Sequence, residues 1–516
     1  MWLEFLLLFV AIWLLYKLYF SDFSYWEQKG FPCVKGRFPF GSQANIVLMT
    51  EYTGIALQQI YEKLAPHPFG GIYIVRRCEL LLRDPEIIKK ILIKDFTHFV
   101  SRTSIKPATF LQRHLFNANG DLWRALRIKL SPTFTSGRLK SMFNLFNECS
   151  MKLDGKLKCL ADNEENLDVK ELMSRFTTDI ICTCAFGLDV NSLDRPDNKL
   201  RELGKTIFTK FSWKIHIVRL LLLVMPFLRK MISVRTNSIE LETYLLKTIT
   251  DTVAYREKNN IRRNDFLDLL IDIMKNDNLS VDGRLGKLSS EEHGSVDNLK
   301  MDLKLMTANC FAFFAAGFET SSSVQANCLY ELALNQDIQD KLRNEIDEVL
   351  KRYNGEISYQ ALQEMPYLEQ VISETLRKYP TVPTVSRICD KNYQIPETNL
   401  VIDKGTSVVI PVYALHHDSK YYPDPEKFQP ERFAPENKSS IPSCAYLPFG
   451  EGPRICIGMR FGLLQTKTGI VTTLAKYKLL KTDDTPERLT FEPANFISKV
   501  REKISLKIVH RDNKNI

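Results

Sequence analysis

Residues 449–458 place Phe449, Gly452, Arg454, Cys456 and Gly458 in the order F-x-x-G-x-R-x-C-x-G. One thiol sits in a glycine-bounded loop, two residues after a guanidinium and just before a helical run. A cysteine becomes a metal ligand only as the thiolate, which nearby cations and a helix N-terminus both favour. Glycines let the backbone pass close to something flat and large. A buried core cysteine, the usual fate of a lone thiol, leaves the arginine and the glycines without a role. The loop is therefore a thiolate site.

A second chemical group lies on the run from Met301 to Leu334, which the pattern predicts as one long helix. It contains Ala315, Ala316, Gly317, Phe318, Glu319, Thr320 and Ser321. Small residues in an apolar helix admit a flat ligand. Gly317 weakens the helix by about 1 kcal/mol relative to alanine. The Thr320 hydroxyl can compete for the Ala316 carbonyl and bend the helix. Glu319 and Thr320 then offer an acid and a hydroxyl for moving protons. Two further pairs have helical spacing: Glu374 with Arg377, and Trp123 with Arg127. Taken singly, each is as well explained by a surface ion pair or by a tryptophan packed beside a solvated arginine.

Together these segments resemble the cytochrome P450 superfamily, in the family's order and over the whole chain. The resemblance implies a mainly α fold with small β-sheets and haem (haem b, iron protoporphyrin IX) between the long helix and the cysteine loop. It implies that Cys456 is the axial metal ligand, whose electron donation favours O–O cleavage, and that Glu319 and Thr320 are catalytic, with Ser321 where many members carry a second threonine. Trp123, Arg127, Arg387 and Arg454 are expected to hold the haem propionates, since Arg pairs strongly with carboxylate. Phe449 is expected to pack near the sulfur, with Gly317 and Gly458 also at the cofactor. Glu374, Arg377 and Arg432, the last in a P-E-R-F segment, would brace the loop. His416 and His417 read as a capped surface turn. Residues 448–462, His114-Leu115-Phe116 and residues 130–137 are similar to insect microsomal members of family six, which oxidise plant toxins and insecticides.

The elements that must position these groups are read from the rest of the chain. Its 516 residues, 44% hydrophobic and 25% charged, suit one large helical domain. Its 11 cysteines form no C-x-x-C pair, which argues against structural zinc and for a reducing compartment. The net charge of +9 is dispersed, so no nucleic-acid module is expected, while an acidic partner or anionic lipid suits it. Residues 1–20, charged only at Glu4 and Lys17, are predicted to be a membrane anchor helix. Residues 21–45 read as a Pro/Gly hinge and residues 46–516 as the monooxygenase domain, facing the cytosol from the endoplasmic reticulum. Strands are expected near 72–75 and 80–82, and a helix from Pro85, capped by Asp84. The apolar run 220–228 is either core or a membrane-dipping loop, and 275–300 is a surface loop.

The expected activity is insertion of one oxygen atom of O₂ into a lipophilic substrate, with electrons from NADPH through cytochrome P450 reductase and with cytochrome b5 as an optional partner. Lys129, Lys140 and Arg460 are candidates for the reductase face. The substrate pocket is expected from residues 103–116, 313–317, 381–385, Phe496 and Ile497. The alternatives are an endogenous hormone or lipid hydroxylase, a reductase-independent haem-thiolate isomerase, and a non-enzymatic haem binder.

Overall fold

The computed structural model describes residues 23–511 except 104–106, 196, 203, 205–216, 219–220, 223–238, 276–299 and 494–495, together with residues 2, 4–6, 9–10 and 12–13. Much of the expected anchor, most of 220–228 and nearly all of 275–300 lie outside the described residues. No described helix is long and apolar enough to cross a membrane.

A 32-residue helix, Leu303–Leu334, runs through the centre, about 48 Å at 1.5 Å per residue. It is named α8 below, the earlier helices named here being α1 (Thr53–Lys63), α2 (Pro85–Lys89), α3 (Gly120–Leu130), α4 (Ser136–Asp162), α5 (Val169–Phe186), α6 (Ile239–Asn259) and α7 (Phe266–Lys275). After it come α9 (Gln336–Arg352), α10 (Pro366–Lys378) and α11 (Met459–Lys476). Asp302 starts α8 by accepting from Leu305 N–H at 2.7 Å, which satisfies a donor the first turn leaves open. Apolar side chains lie all round α8, as a helix enclosed by neighbours requires. It is flanked by α5 and α11.

Three details show why α8 tolerates its small and polar residues. A Cβ added at Gly317 would meet Ile181 Cδ1 of α5 at 2.9 Å, so the glycine makes room for a neighbouring helix. The Thr177 hydroxyl of α5 donates to the Phe318 carbonyl at 3.0 Å. The Thr320 hydroxyl donates to the Ala316 carbonyl at 2.5 Å, the competition its position in the sequence predicts.

The β-structure is small and peripheral. One mixed sheet has the order β1 (Phe69–Ile74), β2 (Arg77–Leu82), β4 (Ser407–Ile410), β3 (Val385–Ile388); only the β2–β4 pairing is parallel. A second sheet pairs Asn166–Asp168, Ser505–His510 and Tyr477–Lys481. Arg387 sits on β3 opposite Val408, so the first sheet carries one of the expected propionate ligands. Residues 23–41 dock on this sheet. Within them Tyr25–Gln28 forms one helical turn, and the Trp26 indole is buried and donates to the Ile72 carbonyl at 3.3 Å.

The Asp84 cap is present, its carboxylate accepting from Glu86 and Ile87 N–H at 2.9 and 3.1 Å. After α2 the chain passes into a π turn at Lys90–Lys94. That wider turn presents the Leu92 carbonyl to the cysteine loop. A Cβ at Gly452, which has φ +75°, would land on that carbonyl. The glycine is therefore needed where backbone meets backbone, on the side of the loop that packs into protein.

Candidate active site

The loop is preformed. Cys456 N–H donates to the Phe449 carbonyl at 3.0 Å and Ile455 N–H to the Gly452 carbonyl at 2.9 Å, which closes residues 449–456 on themselves. The Gly458 N–H donates to the sulfur, and Gly458 itself leads into α11. Burial raises the Cys456 pKa; the Gly458 N–H and the charges of Arg127 and Arg102 oppose it. The residue is nonetheless accessible, so its open face looks into a space enclosed by the fold. Among the described residues no group of three or more His, Cys, Asp or Glu could hold a metal ion. A metal at Cys456 must therefore bring its other ligands with it, as a macrocycle does.

Four guanidiniums crowd this face. Arg127 Nη1 donates to the Ile455 carbonyl and Arg102 Nη2 to the Arg454 carbonyl, both at 2.8 Å. Arg454 is buried, donates Nη2 to the Ala118 carbonyl at 2.6 Å, and lies 4.4 Å from the Trp123 ring. Trp123, on α3, is thus a platform for Arg454. Arg387 is buried and donates Nη1 to the Ser386 carbonyl at 2.8 Å. The Nε and Nη1 of Arg454 and the Nε and Nη2 of Arg387 have no hydrogen-bond partner among the described residues.

Burial, then the charges of Arg102 and Arg387, push Arg454 down to about 8. Burial, then Arg102, pushes Arg387 to about 9, and burial carries Arg102 to about 10. A guanidinium keeps its proton, so the cluster calls for an anion instead. Buried donors in pairs, from different elements, fit carboxylates. A flat group with two carboxylates and a metal open to one thiolate satisfies the donor set, which is the description of haem. Trp123, Arg127, Arg387, Arg454 and Arg102 would hold its propionate side, and Cys456 its iron.

The brace is the best-satisfied part of the site. Arg377 makes a fully buried bidentate pair with Glu374, Nε to Oε2 at 2.7 Å and Nη2 to Oε1 at 2.8 Å. Arg432 Nε stands 3.4 Å from the same carboxylate, and Gln429 N–H donates to it at 3.0 Å. Arg377 Nη1 donates to the His416 carbonyl at 3.0 Å. The His416 Nε2 in turn accepts from Leu447 N–H at 2.8 Å, two residues before Phe449. The expectation of a surface turn at His416 and His417 is corrected here: both are buried. Burial above all depresses both, with His417 at about 3, so each stays a neutral ring. His416 carries the rigidity of the Glu374–Arg377 pair into the loop.

On the facing side, Gly462 of α11 lies against Ser321, 3.7 Å from its hydroxyl to an added Cβ. This sets the helix after the cysteine loop beside Thr320. Ala316 is exposed and Thr320 half-buried although α8 is central, so they face the enclosed space. Glu319 is elsewhere: its carboxylate is buried at ion-pair distance from Lys170 Nζ of α5, 2.9 Å. Gly317 is accounted for by Ile181, and a Cβ at Gly458 would have room, with Phe134 at 3.9 Å.

Of the residues singled out by sequence, the structure gathers Cys456, Trp123, Arg127, Arg387 and Arg454 around one face. Three positioning residues were missed. Arg102 lies in an irregular stretch without a motif, His416 was taken for surface, and Lys170 opens an ordinary helix. Four basic residues with no carboxylate ion-paired to them among the described residues are the signal, and it exists only in three dimensions.

A model of the cytochrome P450 family matches residues 46–508, and with the thiolate loop, the guanidinium cluster and the long helix in place the chain belongs to that family of monooxygenases. It is 39% identical over 507 residues to probable cytochrome P450 6a14 of Drosophila melanogaster, covering 97% of this chain and 98% of the relative. It is 41% identical over 483 residues to cytochrome P450 6k1 of Blattella germanica, covering 91% and 90%. These relatives are insect family-six members.

Two outcomes are expected. His416 and His417 ionise near 6.5 when unfolded and well below it when folded. The unfolded chain therefore binds more protons below that value, and stability falls as pH drops from 7 to 5. Urea midpoints measure this, and His416→Gln, which keeps an acceptor for Leu447 N–H, flattens the slope. Arg387→Leu removes an uncompensated buried charge; the cofactor-free protein gains on the order of 1–2 kcal/mol. Haem titration of the same variant shows weaker binding.

Proposed function

We propose that this protein is a haem b monooxygenase that inserts one oxygen atom of O₂ into lipophilic foreign compounds, plant toxins and insecticides among them. The observation that carries the reading is the accessible Cys456 thiol beneath two buried arginines with orphaned donors. When bound there, haem supplies dioxygen activation, with the thiolate as electron donor. The chain's own residues do the rest. Gly458 N–H, Arg127 and Arg102 favour the sulfur anion against the burial that raises its pKa. Thr320, its hydroxyl held at the Ala316 carbonyl, receives and passes on a proton, and Glu319 is the acid one residue away.

The substrate class follows from apolar surface near this face. The Phe116 and Phe496 rings are 6.1 Å apart, edge to face, and both are exposed. Arg102 lies 4.6 Å from the Phe116 ring, which ties that ring to the guanidinium cluster. Leu115 N–H donates to Asn309 Oδ1 of α8 at 3.1 Å, fixing the Phe116 segment against the long helix. Such an exposed apolar setting with few polar groups suits lipophilic ligands. Phe313 is better assigned to the core, 4.4 Å from the Phe266 ring and 5.1 Å from Phe134. Phe314 and Phe318 are buried and stacked on each other. Ala315 and Ala316 are therefore the pocket-facing residues of 313–317.

Electrons would come from NADPH through a flavoprotein reductase, with cytochrome b5 as a second donor. Exposed Lys140 and Arg460, with half-buried Lys129, lie on the helices that flank the cysteine loop and suit an acidic partner. The N-terminal segment, with Trp2, Phe5 and Phe9 exposed on helical residues, suits attachment to the endoplasmic reticulum from the cytosolic side.

The reduced protein with carbon monoxide is expected to show the strongly red-shifted Soret band of a thiolate-ligated haem, and Cys456→Ser to lose it. A variant that kept the band would overturn the assignment. With reductase, NADPH and a generic lipophilic probe, Thr320→Ala is expected to go on consuming NADPH while releasing peroxide in place of product. Absence of NADPH consumption by the unmodified protein would instead favour a reductase-independent isomerase.

A further inference from the structure

The brace behind the cysteine loop carries one more positive charge than negative. Glu374 is the carboxylate for two guanidiniums: Arg377, in a fully buried bidentate pair, and Arg432, whose Nε stands 3.4 Å away. Arg377 takes the better geometry and leaves Arg432 under-satisfied. Arg432 donates Nη2 to the Asp424 carbonyl at 2.9 Å, and its Nε has no hydrogen-bond partner among the described residues. Burial lowers its pKa and Arg377 adds to that, while Glu374 opposes it. A guanidinium keeps its proton, so the excess charge persists and favours an anion.

Arg432 also lines a cavity of about 410 Å³, walled by Tyr421, Tyr422, Gln429, Asn437, Ser440 and Ile441. Small organic ligands occupy cavities of roughly 300–1,000 Å³. The walls are of two kinds. Tyr421, Tyr422 and Ile441 supply aromatic and apolar surface. Gln429 gives the brace its backbone N–H, 3.0 Å from Glu374, so its side-chain amide is not needed there. The Tyr421 hydroxyl is hydrogen-bonded to Lys420, which adds a second cation at the rim. The acids close by are committed elsewhere. Glu431 lines the cavity but pairs with Lys341 at 2.8 Å and accepts from the Tyr367 hydroxyl at 3.2 Å. Asp418 accepts from the Tyr61 hydroxyl at 2.6 Å.

We propose that this cavity is a binding site for small aromatic carboxylates. The ring has flat surface to lie against at Tyr421 and Tyr422, and the carboxylate gives Arg432 the planar partner that Glu374 gives Arg377. None of the walls belongs to the residues expected around the substrate, so the site is separate from the one where oxidation takes place. Occupancy brings the brace to charge balance. Arg377 is then shared less with Arg432's needs, and its path through His416 to Leu447 carries the added stiffness to the cysteine loop. The ligand therefore acts on how firmly the haem is kept.

Benzoate is the probe, added to the full-length ferric holoprotein. Calorimetric titration is expected to show one benzoate bound per chain with the Soret band unmoved. Benzamide, its neutral analogue, is expected to bind about tenfold more weakly or worse, as loss of a charge-assisted bond implies. Saturating benzoate is expected to slow haem transfer to apomyoglobin several-fold, because a ligand stabilises the state that binds it. Gln429→Glu sets a carboxylate of the chain's own beside Arg432; it is expected to slow haem transfer without benzoate and to abolish the titration. Ile441→Trp, outside the brace, fills the cavity and is expected to abolish the titration while haem transfer stays at the benzoate-free wild-type rate. Benzoate binding that moves the Soret band and survives Ile441→Trp belongs to the haem pocket and overturns the inference. Equal binding of benzamide overturns it too, as does binding that leaves haem transfer unchanged.

Discussion

A thiolate buried in protein is unstable as an ion, and the architecture around Cys456 answers that problem. Desolvation pushes its proton on; a backbone N–H and two guanidiniums push it off. The guanidiniums create a second problem, since four of them crowd one region and form no ion pair with a carboxylate among the described residues. Each spends some donors on the carbonyls of residues 386, 454, 455 and 118. Those bonds lock the loop backbone and leave the remaining donors for the cofactor. The same charges that stabilise the sulfur anion thus fit a dianionic macrocycle above it.

Holding such a loop requires stiffness from outside, because the loop has little regular structure of its own. One support comes from α10, where a fully buried bidentate pair is worth retaining only if every donor finds an acceptor. Glu374 meets Arg377, Arg432 and Gln429, and Arg377 reaches through the His416 carbonyl to a ring that binds Leu447. The other support is steric: the π turn at Lys90–Lys94 meets Gly452 backbone to backbone. The loop is therefore fixed by hydrogen bonds on one side and by close packing on the other, while Cys456 stays open to the enclosed space.

Much of this was legible in residue order, and the exceptions share a cause. Local signals were read correctly where the interaction is local: Asp84 capping the turn at Pro85, Thr320 bonding the carbonyl four residues back, Glu374 pairing with Arg377 one turn on. Signals failed where the partner is distant in sequence. Gly317 looked like an opening for a flat ligand and instead receives Ile181. His416 and His417, two polar residues near a turn, looked exposed and are buried. Glu319 looked free to act and is paired with a lysine some 150 residues away. Arg102 carries no motif at all.

Sequence alone determined the chemistry expected of Cys456, because spacing within a loop is set by covalent geometry and ten residues suffice to write it. It also determined the long helix and its acid–hydroxyl pair, since periodicity and i to i−4 bonds are local. Only the tertiary structure decided how charge is balanced. Arg102, Arg127, Arg387 and Arg454 come from separate elements and become a cluster only when strand, helix and loop pack together. The same packing turns Glu319 toward Lys170. Long-range electrostatics depends on which charges share a low-dielectric space, and the order of residues does not record that.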